Sequence, residues 1–536
     1  MPATTRNPNE TQEKSAEGEK PLVNRPSTRR GFFAAGVSLA AAAVAVPARA
    51  AAQQAPKKES ATRTMVRRLL HDTPTQTFDP FKPAQLATQK GWDSVLTRLV
   101  RRVTNGVTED EMTLARKLGF NGYLNYHLAP NKIDDSSSNA FVGENYPWLS
   151  FDGEQLHTQD QNAVRQQLAE STLYRAAFSK RQLYERMVEF WSDHFNIAFT
   201  EVNYLKLIDD RDVIRKNALG NFPTLLKASA HSPAMLEYLD NTRNRQRTLN
   251  ENYAREIMEL HTLGVNGGYT QVDVRELARV LTGWTLAGRG TFFFDPSGHD
   301  FGEKTVMGQK LVAMPVSAGA AAKSEGDQML DFLVKHPNTA RFISKKMLRW
   351  LLQYEPSEAQ ITAVASTYTR TNGDIPAMIR AILTPANLTA TAPKYKRPFT
   401  FLVSALRATK PTVTKVTTLH DRWMSSLGQP LFQWGPPDGY PDRAEYWSGG
   451  VLQRWNFAVN LVSQTSDEYF IDPARFGNAT TADGVADAIN REIFGGEMPL
   501  RLRTQLLIYL NSQALSANRI RESVALALSS STFQWL

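Results

Sequence analysis

The stretch NENYAREIMELHTLGVNGGYTQVDVRELARVLTGW, Asn250 to Trp284, carries four polar groups at helical spacing: Asn252, Arg255, Glu256 and Glu259. At about 100° per residue these four fall within an arc of about 100°. Carboxylates three residues apart on one helix face can share a divalent cation or a proton. An arginine one turn before Glu259 can instead form a plain ion pair with it. Leu263 intrudes on the same arc, which argues against a fully solvated face. A structural polar network and the floor of an active site both stay open. His261 falls on the opposite, apolar face with Ile257, Met258 and Leu260, the setting of a core histidine rather than a ligand.

Two further clusters could join that face. EFWSDHFNI sets Asp193, His194 and Asn196 at a helix end among Phe190, Trp191, Phe195 and Ile197. His194 could be a ligand, a general base, or a histidine favoured there by the helix dipole. GHDFGEK places His299, Asp300, Glu303 and Lys304 on a loop, where either a site or ordinary turn chemistry fits. His231 and His336 precede helix starts and read as capping residues. Asp240, Asn241 and Arg243 read as a helix end and turn. The loop WGPPDGYPDRAEYW would suit a sugar-binding platform, but such loops also pack over helical cores.

Apolar residues recur mostly at helical spacing from about Thr64 onward, which predicts a mainly α protein. Asn250 is placed to cap a helix to about Leu263, with Gly264 in the left-handed position after it. Thr270 and Asp273 form a capping-box pattern for a second helix that ends at Gly283. Ser232-Pro233 reads as the N-cap and first residue of another helix. TFFFD (291–295) and KTVMGQKLV (304–312) predict a small β-hairpin inserted near 291–312. The expected organisation is a signal peptide at 1–50, a linker at 51–63 and one large helical domain at 64–536.

The chain has 536 residues, no cysteine and a formal charge of +9. The absence of cysteine removes disulfides, thiolate metal sites and a cysteine nucleophile. There is no run of five basic residues, so nucleic acid is not an expected partner. Thr28-Arg29-Arg30-Gly31-Phe32-Phe33, an apolar run to Val46 and Ala48-Arg49-Ala50 together form a twin-arginine leader. That predicts export of a folded protein to the periplasm or beyond. No long apolar stretch follows, so the mature chain is expected to carry no transmembrane segment. Phosphate-binding glycine loops, dinucleotide fingerprints, Gly-x-Ser-x-Gly elbows and His-Glu-x-x-His helices are all missing.

FWSDHF, ALGNFPTLLKASAHSPAMLEYLDN, the Asn250–Trp284 stretch, GHDFGEKTVMG and HPNTARFISKKML together resemble the bacterial family called domain of unknown function 1800, over about residues 65–535. The resemblance implies a mainly helical, exported protein. It also implies a candidate partner, the exported family called domain of unknown function 1501, which is similar to alkaline phosphatases and sulfatases. The family motif maps onto Asn250, Glu251, Asn252, Arg255, Glu256 and Glu259, its His-Asp onto His299 and Asp300, and its Trp-x-x-His-Phe onto Trp191, His194 and Phe195. Many members have Phe where this chain has His261.

The resulting expectation is an exported hydrolase-type enzyme acting on a polar or glycan-like substrate. His194, Asn252, Arg255, Glu256, Glu259, His299 and Asp300 would form one site, and Glu256, Glu259 and His299 are the candidate ligands for a divalent metal. The sequence leaves any other cofactor unknown. The competing expectation is a non-catalytic protein that holds an exported partner or a cell-envelope polymer.

Overall fold

A computed structural model describes residues 94–463, 467–477 and 480–536. The expected leader and linker lie outside the described residues. Among the described residues helix dominates, and the strands form only two-stranded antiparallel sheets. No helix among the described residues is long and apolar enough to cross a membrane.

The helix Gln182–His194 (α1) shows why the chain folds this way. It buries Leu183, Met187, Phe190, Trp191 and His194 along one side. Each large apolar side chain removed from water contributes roughly 1.5–3 kcal/mol. Trp191 also donates its indole N–H to the Ala218 carbonyl at 3.0 Å. These residues join a core that includes Leu99, Leu236, Met258, Ile343 and Leu351.

The Asn250–Trp284 stretch forms a helix, a turn and a second helix, with one departure from regular geometry. Asn250 Oδ1 accepts from the Asn252 N–H at 2.9 Å and opens the helix Asn252–Glu256 (α2). The helix then widens into a π turn over Ile257–Thr262. The Thr262 hydroxyl donates to the Ile257 carbonyl at 2.6 Å, and the Leu263 N–H to the Met258 carbonyl at 2.9 Å. Both bonds span five residues, so α-helical angles no longer apply beyond Ile257. Gly264 does take a left-handed φ of 83°, and a Cβ there would lie 2.8 Å from the Phe342 ring. The helix Gln271–Val280 (α3) opens on a complete Thr270/Asp273 capping box. It stops three residues short of Gly283.

The predicted hairpin is two hairpins. Strand β1 (Trp284–Ala287) pairs with β2 (Thr291–Phe294), and β3 (Lys304–Val306) pairs with β4 (Gln309–Leu311). Met307 and Gly308 both take positive φ, 50° and 80°, and so close a two-residue turn inside what reads in sequence as one strand. Ser232 and Pro233 hold the expected positions, but Ser232 gives its hydroxyl to Asp209 at 2.8 Å rather than capping the helix. His336 caps as expected, accepting from the Asn338 N–H at 3.2 Å. His231 instead closes the preceding helix, with Nδ1 2.8 Å from the Lys227 carbonyl.

Two later helices complete the frame of the site. Pro337–Leu351 (α4) packs against the π turn, and Pro398–Thr409 (α5) is buried along its whole length.

Candidate functional site

Glu185, Glu189 and Asp193 recur every fourth residue on α1 and so form one stripe of carboxylates. Arg397, the residue before α5, reaches two of them. Its Nη1 lies 2.6 Å from Asp193 Oδ2 and its Nη2 3.2 Å from Glu189 Oε1. The guanidinium also stacks on Trp350 of α4 at 5.1 Å. Lys394 binds Asp442 at 2.7 Å and faces the same indole.

The loop from Pro430 to Arg443 closes over this pair. Asn196 donates to the carbonyls of Trp434 at 2.9 Å and Pro436 at 2.7 Å, which pins the loop to the end of α1. Tyr440 bonds the Pro430 carbonyl through its hydroxyl at 2.5 Å and donates its backbone N–H to the Asp193 carboxylate. Gly439, at φ 76°, is needed for the approach: a Cβ would sit 2.2 Å from the Asp193 carbonyl.

Beside the Asp193–Arg397 pair lies a cavity of about 200 Å³, lined among others by His194, Lys346, Arg349, Trp350, Asp438 and Tyr440. Lys346 and Arg349 are one turn apart on α4. Among the described residues neither makes an ion pair or a side-chain hydrogen bond. Burial lowers the Lys346 amine to about 8, against the opposing pull of Asp193 and Asp438. Burial pushes the Glu189 carboxyl up to about 7; Arg397 works against that rise and Asp193 adds to it. Asp193 is also raised by burial, with Arg397 opposing. A carboxyl and an amine drawn toward neutrality within one cluster mark a place where protons can be exchanged near pH 7.

His194 touches the same cavity, but as a neutral ring. Its Nε2 lies 3.2 Å from the His261 carbonyl, an acceptor only, so the proton sits on Nε2. Burial and the Lys346 and His261 charges hold its pKa well below 6.5. His261 is buried against Phe195, and burial lowers it to about 3. The core position expected for His261 is therefore observed, even though the π turn breaks the angular argument that led to it.

The other sequence-marked groups find partners elsewhere. Arg255 pairs with Glu251 at 3.2 Å rather than with Glu259, and Gln271 binds both, at 3.0 Å to Arg255 and 2.6 Å to Glu251. This network ties α2 to the start of α3. Asn252, Glu256 and Glu259 are half-buried beside it. Tyr269 is pushed up to about 12 by burial and by the charges of Glu259 and Glu256. His299 is buried, with Nδ1 2.8 Å from the Thr282 carbonyl and Nε2 3.4 Å from Glu325. Lys304 binds the same Glu325 oxygen at 2.6 Å. Asp300 takes Arg279 at 2.7 Å and the Gly302 N–H at 2.9 Å. The bonds of His194, Arg255 and the His299–Asp300 pair thus run to separate partners. Among the described residues no three His, Asp or Glu side chains are gathered to hold a metal ion.

A family model described as "Protein of unknown function (DUF1800)" matches residues 98–535. The chain belongs to this family. No curated protein and no solved structure matches it.

Sequence reasoning picked out Asp193, His194 and the aromatic loop, but it missed Glu189, Lys346, Arg349, Lys394 and Arg397. The four-residue recurrence of Glu185, Glu189 and Asp193 was the available signal. Lys346 and Arg349 sit in KKMLRW, which looks like the solvated side of an amphipathic helix until the loop over it is known.

Proposed function

We propose that this protein is an exported enzyme that hydrolyses a polar, anionic substrate in the cleft between α1, α4 and the Pro430–Arg443 loop. The observation that carries the reading is the pair Lys346 and Arg349: two cations facing one cavity with, among the described residues, no carboxylate bound to either. Arg349 would hold an anionic group of the substrate through its planar fork. With a pKa of about 8, roughly a tenth of Lys346 is neutral at pH 7 and able to accept a proton. Water would attack the substrate and give its proton to Lys346 Nζ. The leaving group would depart with that proton as its bond breaks. Asp193 is fixed by Arg397 and the Tyr440 N–H, and its charge would favour the ammonium. The charge of Asp193 also keeps the amine from falling further. Export by the twin-arginine leader is part of the same proposal.

The test is turnover of chromogenic phosphate, sulfate, acyl and glycosyl esters by the mature protein and by Lys346→Met. Hydrolysis of one class, rising with pH toward about 8 and lost in the folded variant, supports the reading. Equal activity in the two proteins, or none in either, overturns it. A second reading draws on the closed Glu251–Arg255–Gln271 network. It makes the chain a non-catalytic protein that holds an exported partner, such as a phosphatase-like or sulfatase-like protein, and predicts co-purification of that partner without turnover.

A further inference from the structure

Beside the α1–α4 cavity stand aromatic rings that the hydrolytic reading leaves unused. Trp434 is half-buried and Tyr446 is 53 % exposed. Their ring centroids are 6.2 Å apart and their planes meet at 83°, so the two rings form a corner. Two contacts join this corner to the cavity. The Trp434 ring lies 4.8 Å from that of Tyr440, and the Trp434 indole N–H donates to Asp438 Oδ1 at 3.2 Å. Tyr440 and Asp438 both line the cavity, as does Arg443, three residues before Tyr446. Asp438 and Arg443 are exposed, so the cavity opens to solvent on this side. The Asp438 charge is also felt at Lys346, where it opposes the fall of the amine, so corner and cation belong to one site.

The corner is held in place by the fold. Asn196 fixes the Trp434 carbonyl at 2.9 Å. The Trp447 indole N–H donates to the Pro441 carbonyl at 2.7 Å, which ties the short helix Ala444–Trp447 to the loop. An exposed tyrosine on such a support offers contact area at little further cost in entropy. Among the described residues Arg443 makes no ion pair or side-chain hydrogen bond, and the Asp438 carboxylate accepts only from Trp434.

A sugar ring presents C–H groups on one face and hydroxyls round its edge. The C–H face packs on the electron-rich face of an aromatic ring, and the hydroxyls need polar partners beside it. Tyr446 and Trp434 meet the first need, and Asp438 Oδ2 and Arg443 the second. Lys346 and Arg349 then select for an acidic group on the same molecule. An acyl chain or an apolar peptide fits poorly, because its body would lie against Asp193, Lys346, Arg349, Asp438, Asp442 and Arg443.

We propose that the ligand of this cleft is an acidic saccharide, with a sugar ring seated in the Tyr446–Trp434 corner and its carboxylate or sulfate on Lys346 and Arg349. The inference rests on the assignment of the cleft as the functional site, not on the hydrolytic step.

The test titrates oligogalacturonate, a sulfated oligosaccharide and a neutral malto-oligosaccharide into the mature protein. Calorimetry reads binding, and new reducing ends in the same samples read turnover. At least one acidic saccharide is expected to bind about tenfold or more tightly than the neutral one, and which of them does so tells carboxylate from sulfate. Tyr446→Ala is expected to weaken that binding about tenfold, and Tyr446→Phe, which keeps the ring, to leave it nearly unchanged. No binding of either acidic saccharide, equal binding of acidic and neutral ones, or binding that Tyr446→Ala leaves unchanged overturns the inference. Binding lost in Tyr446→Ala, with no turnover by the native chain, supports the inference and counts against hydrolysis. Turnover of a simple ester by a chain that binds no saccharide does the reverse.

Discussion

The α2–α3 region and the α1–α4 cleft are both rich in charge, but they differ in how much of it is already used. Around α2 and α3, Arg255, Glu251 and Gln271 satisfy one another, Asp300 is bound by Arg279, and Glu325 holds both Lys304 and the His299 edge. In the cleft, Arg397 serves two carboxylates at once, and among the described residues Lys346 and Arg349 have no carboxylate of their own. A closed network holds a shape, whereas groups left over after folding are available to a ligand. The α2–α3 region ties its own helices together, although among the described residues Glu325 Oε1 keeps no hydrogen-bond partner. The region's contact with the cleft is the His261 carbonyl, which fixes the His194 ring.

The contrast can be broken most forcefully at Arg397. Replacing it with Met leaves Glu189 and Asp193 close together without their shared cation, and the expected loss is about 3–5 kcal/mol in urea unfolding at pH 7. A loss under about 1 kcal/mol would mean that the pair does not hold the cleft together.

Glu189 gives the next largest effect, and its sign depends on pH. Its folded pKa of about 7 lies above the unfolded value of 4.5, so the folded chain keeps a proton that the unfolded chain releases. Its contribution to stability is full below about 4.5 and is lost as pH rises to about 7, a change on the order of 3 kcal/mol. Glu189→Gln is expected to remove that decline, so the variant gains on the wild type between pH 5 and 7. Parallel stability curves for the two proteins would contradict the shift.

His299→Ala should cost about 1–3 kcal/mol, because it leaves Glu325 with one buried partner fewer. It should leave ester turnover unchanged, and a loss of turnover at intact stability would move the site toward the His299–Asp300 loop. Arg255→Ala removes a pair whose side chains are 38 % and 32 % exposed, and the expected cost is within about 0.5 kcal/mol by thermal unfolding.

What the sequence made legible was local. The Thr270–Asp273 capping box and the left-handed Gly264 depend on residues a few positions apart, and both are observed. The helical class followed from periodicity. The π turn did not, because the five-residue bonds of Thr262 and Leu263 override the regular angle. The hairpins were misassigned because Trp284–Ala287, directly after the expected helix end at Gly283, carries no strand pattern of its own while its partner is visible as TFFF. Half of the candidate site was hidden for a different reason. The Asp193–Arg397 pair joins residues 204 apart in the chain, and no spacing rule reports such a contact. Asp193 and His194 were visible because aromatic residues surround them. Lys346 was not, because its environment is made by a loop about ninety residues further on.

The most direct test of the account is the titration of Lys346 itself. Competitive acetylation of the folded chain across pH 6–11, read lysine by lysine by mass spectrometry, gives each amine its own midpoint. The account predicts a midpoint near pH 8 for Lys346, well below that of exposed Lys345, and protection of Lys346 by an anionic substrate analogue. A midpoint above pH 10 with no protection would show an ordinary solvated lysine and would contradict the assignment of the cleft as the functional site.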